Sequence, residues 1–421
     1  MRKYSWKFNK GLTRLVSLAL LSALLLTIIT PLTASADPGW YNVTWDSRKK
    51  ITVDFTKVAA TLTDFPVLVS LSSDTELASE AQDDGDDILF TSSDGVSKLN
   101  HEIETFNGTT GALVAWVRLP ALSSGTNTEI YMYYDNPGAG NQENATFVWD
   151  SSYAMVQHME ETAGGANAIQ DSTSNTNHGT DSGSPTFSAT GKANGAIDFD
   201  GSSAYIDCGN DSSLAISGNL TLEAWIERDA TGIHHTIMDK NYNNEYYFRV
   251  SSDDKLLLYQ GDGTWEAITG TATIGTGWTH VALTRDVTTS QVRFFINGAQ
   301  DGSPVTYTKT VAAGTNKVTI GYRHDYPPNY QYFDGILDEV RISSTARSGG
   351  WITTSYNNQN SPSTFYSLGL AEAGAPTAVG GTIFPTDKMR ILTPWILLSS
   401  MLALAAVGRA FNFGKNPLFT S

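Results

Sequence analysis

One cysteine, Cys208, is all that the 421 residues provide, so no disulfide can form within the chain. It sits in a strand-like run, residues 204–209, and reads as a small core residue rather than a nucleophile. Basic residues are also scarce: 27 Lys and Arg stand against 43 Asp and Glu, for a formal charge of −16. The first 36 residues hold five of those basic side chains and no acidic one, so the remainder is more acidic still. That sign excludes nucleic acid as a partner and disfavours anionic membrane surfaces. No strong amphipathic helix stands out between residues 40 and 370, and there is no Gly-x-Ser-x-Gly or Ser/His/Asp grouping. Asp83–Asp87 is densely acidic, but its spacing is not that of an EF-hand loop, and it reads as a solvated turn.

Long apolar runs occur only at the two ends. Arg2, Lys3, Lys7, Lys10 and Arg14 precede an apolar stretch from Leu15 to Ile29, and Ala34-Ser35-Ala36 supplies the small residues of a cleavage site. Residues 1–36 are therefore expected to be a cleaved export signal. At the other end, residues 371–387 read as a Gly/Ala/Pro/Thr linker and 388–410 as a transmembrane anchor long enough to span a bilayer, with a cytoplasmic tail at 411–421. These ends place the intervening residues outside the cell, held to the membrane by the C-terminal helix. The linker would then set the second of two domains next to the membrane and the first farthest out.

What lies between is a succession of short alternating segments rich in Val, Ile, Thr, Tyr and Trp. Examples are residues 50–55, 112–117, 220–226 and 292–296, with turn pairs at Asn107-Gly108, Asn194-Gly195, Asn297-Gly298 and Asp301-Gly302. Such a pattern predicts antiparallel strands and hairpins. The strand pattern breaks at Pro137-Gly138-Ala139-Gly140-Asn141. The fold class is thus all-β: two tandem antiparallel β-sandwiches, residues 37–149 and 151–370, with the signal peptide before them and the transmembrane helix after.

The first segment resembles the surface-protein module DUF2341, through Trp45 and Arg48, Phe65-Pro66-Val67-Leu68-Val69, the 83–90 stretch, Leu99-Asn100-His101-Glu102-Ile103-Glu104, and Ile130-Tyr131-Met132-Tyr133-Tyr134. The second resembles a laminin-G-like, concanavalin A-like jelly roll. It carries Asp171-Ser172 with Asn175, Asn177, His178 and Gly179, then Ile197-Asp198-Phe199-Asp200-Gly201, Leu222-Glu223-Ala224-Trp225-Ile226, Gly277-Trp278-Thr279-His280, Phe295-Ile296-Asn297-Gly298 and Gly335-Ile336-Leu337-Asp338-Glu339-Val340-Arg341-Ile342. The resemblance implies two curved antiparallel sheets, one structural calcium ion in many members, and a binding or adhesive role. By that analogy Asp338, just before the Glu-Val-Arg-Ile strand, is the carboxylate expected to ligate calcium, with Asp200 and Asp171 near it in the pattern. The bland alternative is that all three cap turns, which aspartate does readily.

Catalysis finds little support. Glycosidases need two carboxylates on one face at a set separation. Strand alternation puts Glu223 and Trp225 on one face and Ala224 on the other, and Glu227 joins Glu223 only along an unbroken strand. The Glu-x-Asp-x-x-Glu pattern of the glucanases is missing. Asp338 and Glu339, being adjacent, should point to opposite faces. His234 and His235 read as polar loop surface before Thr236. Ligand binding is the better expectation, because loop aromatics stack on the apolar faces of sugar rings. Tyr242, Trp265, Tyr326 and Tyr330 are the candidates, and glycans or cell-envelope polymers the expected partners. A carbohydrate-active enzyme on the same fold and a purely structural spacer are the contrasting readings.

Overall fold

The computed structural model of the chain describes residues 39–324 and 331–374. The expected signal peptide, membrane span and tail, and the candidates Tyr326 and Tyr330, lie outside the described residues. Among the described residues no helix is long and apolar enough to cross a membrane.

Sheets dominate. In the first sandwich, a five-stranded sheet runs in the order Tyr366–Ala373, Ser47–Val53, Thr128–Tyr134, Leu89–Ser92, Lys98–Leu99, and a three-stranded sheet in the order Phe65–Leu71, Ala112–Leu119, His101–Asn107. Alternation drives these pairings: Ile51 and Val53 point into the core, as do Val67, Val69, Ala115 and Val117. The last strand is the surprise. Residues 366–370 were expected in the jelly roll and 371–373 in the linker, yet Tyr366–Ala373 pairs antiparallel with Ser47–Val53. The described chain therefore ends in the first sandwich, not in the second as the sequence suggested.

The second sandwich is the jelly roll. Its large sheet orders Thr186–Thr190, Gly195–Asp200, Asp334–Ser343, Leu220–Arg228, Thr279–Asp286, Gln291–Ile296 and Ala299–Thr306, with Tyr153–Gln157 also paired to Asp334–Ser343. Its small sheet orders Trp265–Thr273, Lys255–Gly261, Tyr247–Val250, His235–Asp239, Thr319–Ile320, Tyr205–Asp207 and Thr180–Ser182. Leu222, Ala224 and Ile226 from the large sheet meet Phe248, Leu256 and Leu258 from the small one in a continuous core that also takes in Cys208. Glu223 and Trp225 face away from that core, as alternation required.

That outer face is not left to water. Tyr153, Val156, Ala282 and Phe295 of the second sandwich belong to the same apolar cluster as Trp116, Trp149 and Trp351. The two sandwiches thus share one buried seam, covered on one side by the helix Gly349–Asn360. This helix departs from the sequence expectation. Ser348 caps it by accepting the Trp351 N–H at 3.1 Å, and its buried face is largely polar: Thr354, Ser355, Asn358 and Gln359.

Candidate functional site

Two places gather chemistry. The first is the outward face of the small sheet. Phe248, Val250, Leu256 and Leu258 point inward, so alternation turns Tyr247, Arg249 and Tyr259 outward. Tyr247 and Tyr259 stack with ring centroids 5.7 Å apart and planes 13° from parallel. Trp265 meets Tyr259 edge-on at 5.5 Å, and Tyr242 does so from another side at 6.3 Å. The sequence candidates Tyr242 and Trp265 are therefore joined through Tyr259. Trp265, with 53% of its surface exposed, is the solvent-facing end of the row.

Guanidinium groups line the same face. Arg249 lies 5.4 Å from the Tyr247 ring centre and 5.2 Å from that of Tyr259, and Arg323 lies 4.1 Å from that of Tyr242. Arg249 Nη1 and the Tyr247 hydroxyl both donate to Gln331 Oε1, at 2.5 and 2.6 Å. A second aromatic stack, Tyr205, Tyr322 and Tyr332, continues the surface with centroid spacings of 4.7 Å. Sequence inspection missed Tyr247, Tyr259 and Arg249. Their signal was present, because Tyr247/Arg249 and Leu257/Tyr259 alternate against core residues, but only the strand pairing shows that they share a face with Trp265.

The second place is the seam. Glu102 and Glu104 project from the strand His101–Asn107 of the first sandwich toward His158 of the second. His158 Nδ1 lies 2.8 Å from Glu339 Oε1 and 3.1 Å from Glu104 Oε1, while Nε2 lies 3.5 Å from Glu102 Oε2. Arg341 pairs with Glu339 and, at 3.3 Å, with Glu223. Its guanidinium lies 4.4 Å from the ring centre of Trp116 and 4.8 Å from that of Trp149. Burial alone would drive the imidazole of His158 toward neutrality, but the facing carboxylates Glu339, Glu104 and Glu102 raise it well above the usual histidine range. Glu339 is lowered to about 2: burial opposes ionisation, and His158 and Arg341 overcome it. Glu104 is raised well above the carboxylate range by its burial, and Glu223 is also raised, again by burial. Glu104 also lines an open cleft of about 570 Å³, together with Glu160, Glu161, Gln170 and Asn194. Burial pushes Glu160 up to about 7.

A bulge builds part of this cluster. Glu223 pairs with Arg341 while Trp225 pairs with Asp338, so the longer strand carries one extra residue between them. Glu339 takes it up at φ 51°. Leu337 and Val340 keep to the core, so Asp338 and Glu339 both turn away from it. The expectation that these neighbours face opposite ways fails for that reason.

The three aspartates expected to ligate metal do not converge. Asp200 accepts the N–H groups of Ser202, Ser203 and Ala204 at 2.7–2.9 Å. Asp171 accepts those of Val156, Thr173 and Asn177 at 2.8–3.0 Å. Both do the work of turn caps. Asp338 is fully buried, accepts the N–H groups of Lys192 and Ala193 at 2.6 and 3.2 Å, and is pushed up to about 8 by burial and by Glu339. Asp200 pairs with Asp334, four residues along the strand from Asp338, which separates them by roughly 13 Å. His235 is another departure. It is buried at the start of a strand rather than on a polar loop, with Nε2 3.0 Å from the Ala230 carbonyl oxygen. In the Asp83–Asp87 turn, Asp87 is fully buried and accepts the Gln82 and Asn136 N–H groups at 3.0 and 2.9 Å.

Comparison with known families gives two matches in chain order. Residues 84–170 match DUF2341, a domain of unknown function, and residues 200–353 match the concanavalin A-like lectin/glucanases superfamily. The chain carries a segment that matches DUF2341, followed by one that matches the concanavalin A-like superfamily. The DUF2341 match runs beyond Trp149 and takes in His158 and Glu160 of the seam. The concanavalin A-like fold is compatible with binding in the absence of catalysis. No curated protein matches the chain. Similar solved structures include domain 4 of AbnA, a GH43 extracellular arabinanase from Geobacillus stearothermophilus, in complex with arabinotriose. It shares 21% identity at a TM-score of 0.40, over 48% of this chain and 97% of that one. The binding domain of Paraclostridial Mosquitocidal Protein 1 shares 14% identity at a TM-score of 0.40, over 49% and 52% of the two chains. A botulinum neurotoxin type C structure, whose cell entry depends on two ganglioside molecules, shares 12% identity at 0.40, over 49% and 51%.

Proposed function

We propose that this chain is an exported, surface-held protein that binds glycan through the outward face of the small sheet of its concanavalin A-like domain. The observation that carries the reading is the row Trp265–Tyr259–Tyr247, flanked by Tyr242 and studded with Arg249 and Gln331. A sugar ring has apolar C–H faces and a rim of hydroxyls. Aromatic rings bury the first, while planar guanidinium, amide and phenol groups satisfy the second. Trp265 gives such a ring an exposed platform, and Tyr242 and Tyr259 supply further rings beside it. The apolar run at residues 391–408 and the leader at 1–36 support display at the cell surface.

The test is a glycan array on the full chain, followed by titration of any hit. Trp265→Ala and Tyr259→Ala are expected to weaken binding at least tenfold. A parent chain that binds no glycan on a broad array, or variants that bind as the parent does, would reject this face as the site.

A further inference from the structure

We propose that Glu104, His158 and Glu339 form a site for one divalent transition-series cation, zinc or manganese, which fastens the two sandwiches across their seam. The first ligand comes from one sandwich and the other two from the second. Their donor atoms all lie within 4.8 Å of one another. His158 Nδ1 is 2.8 Å from Glu339 Oε1 and 3.1 Å from Glu104 Oε1. Donors arranged tetrahedrally at ~2.0–2.1 Å from zinc are about 3.3 Å apart. The two imidazole–carboxylate separations therefore need to open by only a few tenths of an ångström.

Three further features favour an ion here. Glu104 Oε2 is buried and makes no hydrogen bond, so one oxygen of this carboxyl group has no partner within the protein. The ligands are also individually oriented. Trp116 Nε1 donates to Glu104, Arg341 holds the second oxygen of Glu339, and Glu102 faces the far ring nitrogen of His158. A carboxylate behind a ligating histidine, and hydrogen bonds to the ligating carboxylates, are the outer supports that metal sites need. Finally, Glu160 and Glu161 line a cleft beside the Glu104 segment, and their carboxyl groups would draw a hydrated cation toward the seam. One imidazole with two carboxylates suits zinc or manganese, whereas calcium prefers an all-oxygen shell of six to eight ligands.

The full chain, stripped with chelator, would be titrated separately with Zn²⁺, Mn²⁺ and Ca²⁺ by calorimetry. The expected result is one Zn²⁺ or Mn²⁺ per chain, with a higher melting midpoint on loading and at least tenfold weaker binding in Glu104→Gln. His234→Gln, at a histidine remote from the seam in sequence, should leave binding unchanged. X-ray absorption on the loaded parent chain should show a single imidazole nitrogen among oxygen donors, which decides the matter even if a seam variant does not fold. Lack of saturable Zn²⁺ and Mn²⁺ binding overturns the proposal. So does a shell with two or more imidazoles, or binding that survives Glu104→Gln and is lost in His234→Gln.

Discussion

The side-chain amide of Asn358 pairs with the backbone of Leu68 as a neighbouring strand would. The Leu68 N–H donates to Oδ1 at 2.6 Å, and Nδ2 donates to the Leu68 carbonyl at 3.0 Å. Two residues along, the Tyr366 hydroxyl repeats the arrangement, accepting from the Ser70 N–H at 2.9 Å and donating to the Ser70 carbonyl at 2.8 Å. Phe65–Leu71 is the edge of its three-stranded sheet, so these backbone groups have no strand partner on that side. Two side chains from beyond the jelly roll close the edge and keep it from recruiting another chain.

Asn358→Ala should therefore destabilise the protein by about 3 kcal/mol, since it strands a buried donor and a buried acceptor at ~1–3 kcal/mol each. Tyr366→Phe keeps the ring and loses only the hydroxyl, and should cost about 1–2 kcal/mol. Urea unfolding followed by circular dichroism measures both. A change below ~0.5 kcal/mol in Asn358→Ala, the range of ordinary surface substitutions, would show that the edge does not need this cover.

Much of this was legible in the sequence, and the parts that were not have a common cause. Period-two alternation announces most strands, including Leu220–Arg228, where Leu222, Ala224 and Ile226 go inward and Glu223 and Trp225 outward. The helix Gly349–Asn360 gave no such sign because beyond Trp351 and Ile352 its buried face is Thr354, Ser355, Asn358 and Gln359, polar residues hydrogen-bonded in place. The bulge at Glu339 is equally silent, since one extra residue in a strand leaves the apolar run on either side intact. The seam depends on both. Glu102 and Glu104 are visible as alternating acids on one strand, but nothing local says that a histidine 54 residues after Glu104 and a bulged glutamate beyond residue 330 will meet them. In the same way, Tyr242 and Trp265 could be chosen as exposed aromatics, whereas Tyr259, which connects them, becomes evident only through strand pairing.

His101 supplies a test by pH. Its ring is fully buried, edge-on to Phe90 at 5.3 Å. Burial, aided by the nearby cation of Lys98, holds its pKa down to about 4 from 6.5. The unfolded chain thus takes up the proton first as the pH falls. The stability contributed by neutral His101 is fully present above pH ~6.5 and drains away as the pH drops toward 4, by roughly 3 kcal/mol in all. His101→Phe removes this titration while keeping a buried ring. The gap in stability between His101→Phe and the parent should widen in the variant's favour between pH 7 and pH 4.5. A gap that is flat with pH, read from urea midpoints, would mean that His101 is not held neutral.

Arg341 and Glu339 offer the sharpest test of the seam. Arg341 is fully buried against the indoles of Trp116 and Trp149, and it pairs with both Glu339 and Glu223. Removing one partner of a buried pair leaves the other charge uncompensated, at a cost of about 3–5 kcal/mol. Arg341→Met should show that loss, because Glu339 and Glu223 then lose the buried cation they share. Adding Glu339→Gln removes the orphaned charge, so the double variant should recover at least about 1.5 kcal/mol relative to Arg341→Met. Tyr153, Val156, Ala282 and Phe295 share an apolar cluster with Trp116 and Trp149, so the parent chain should unfold in one cooperative transition rather than sandwich by sandwich. Two resolved transitions in the parent, or single-variant costs that simply add in the double variant, would show instead that each sandwich stands alone and that the pair merely decorates the boundary between them.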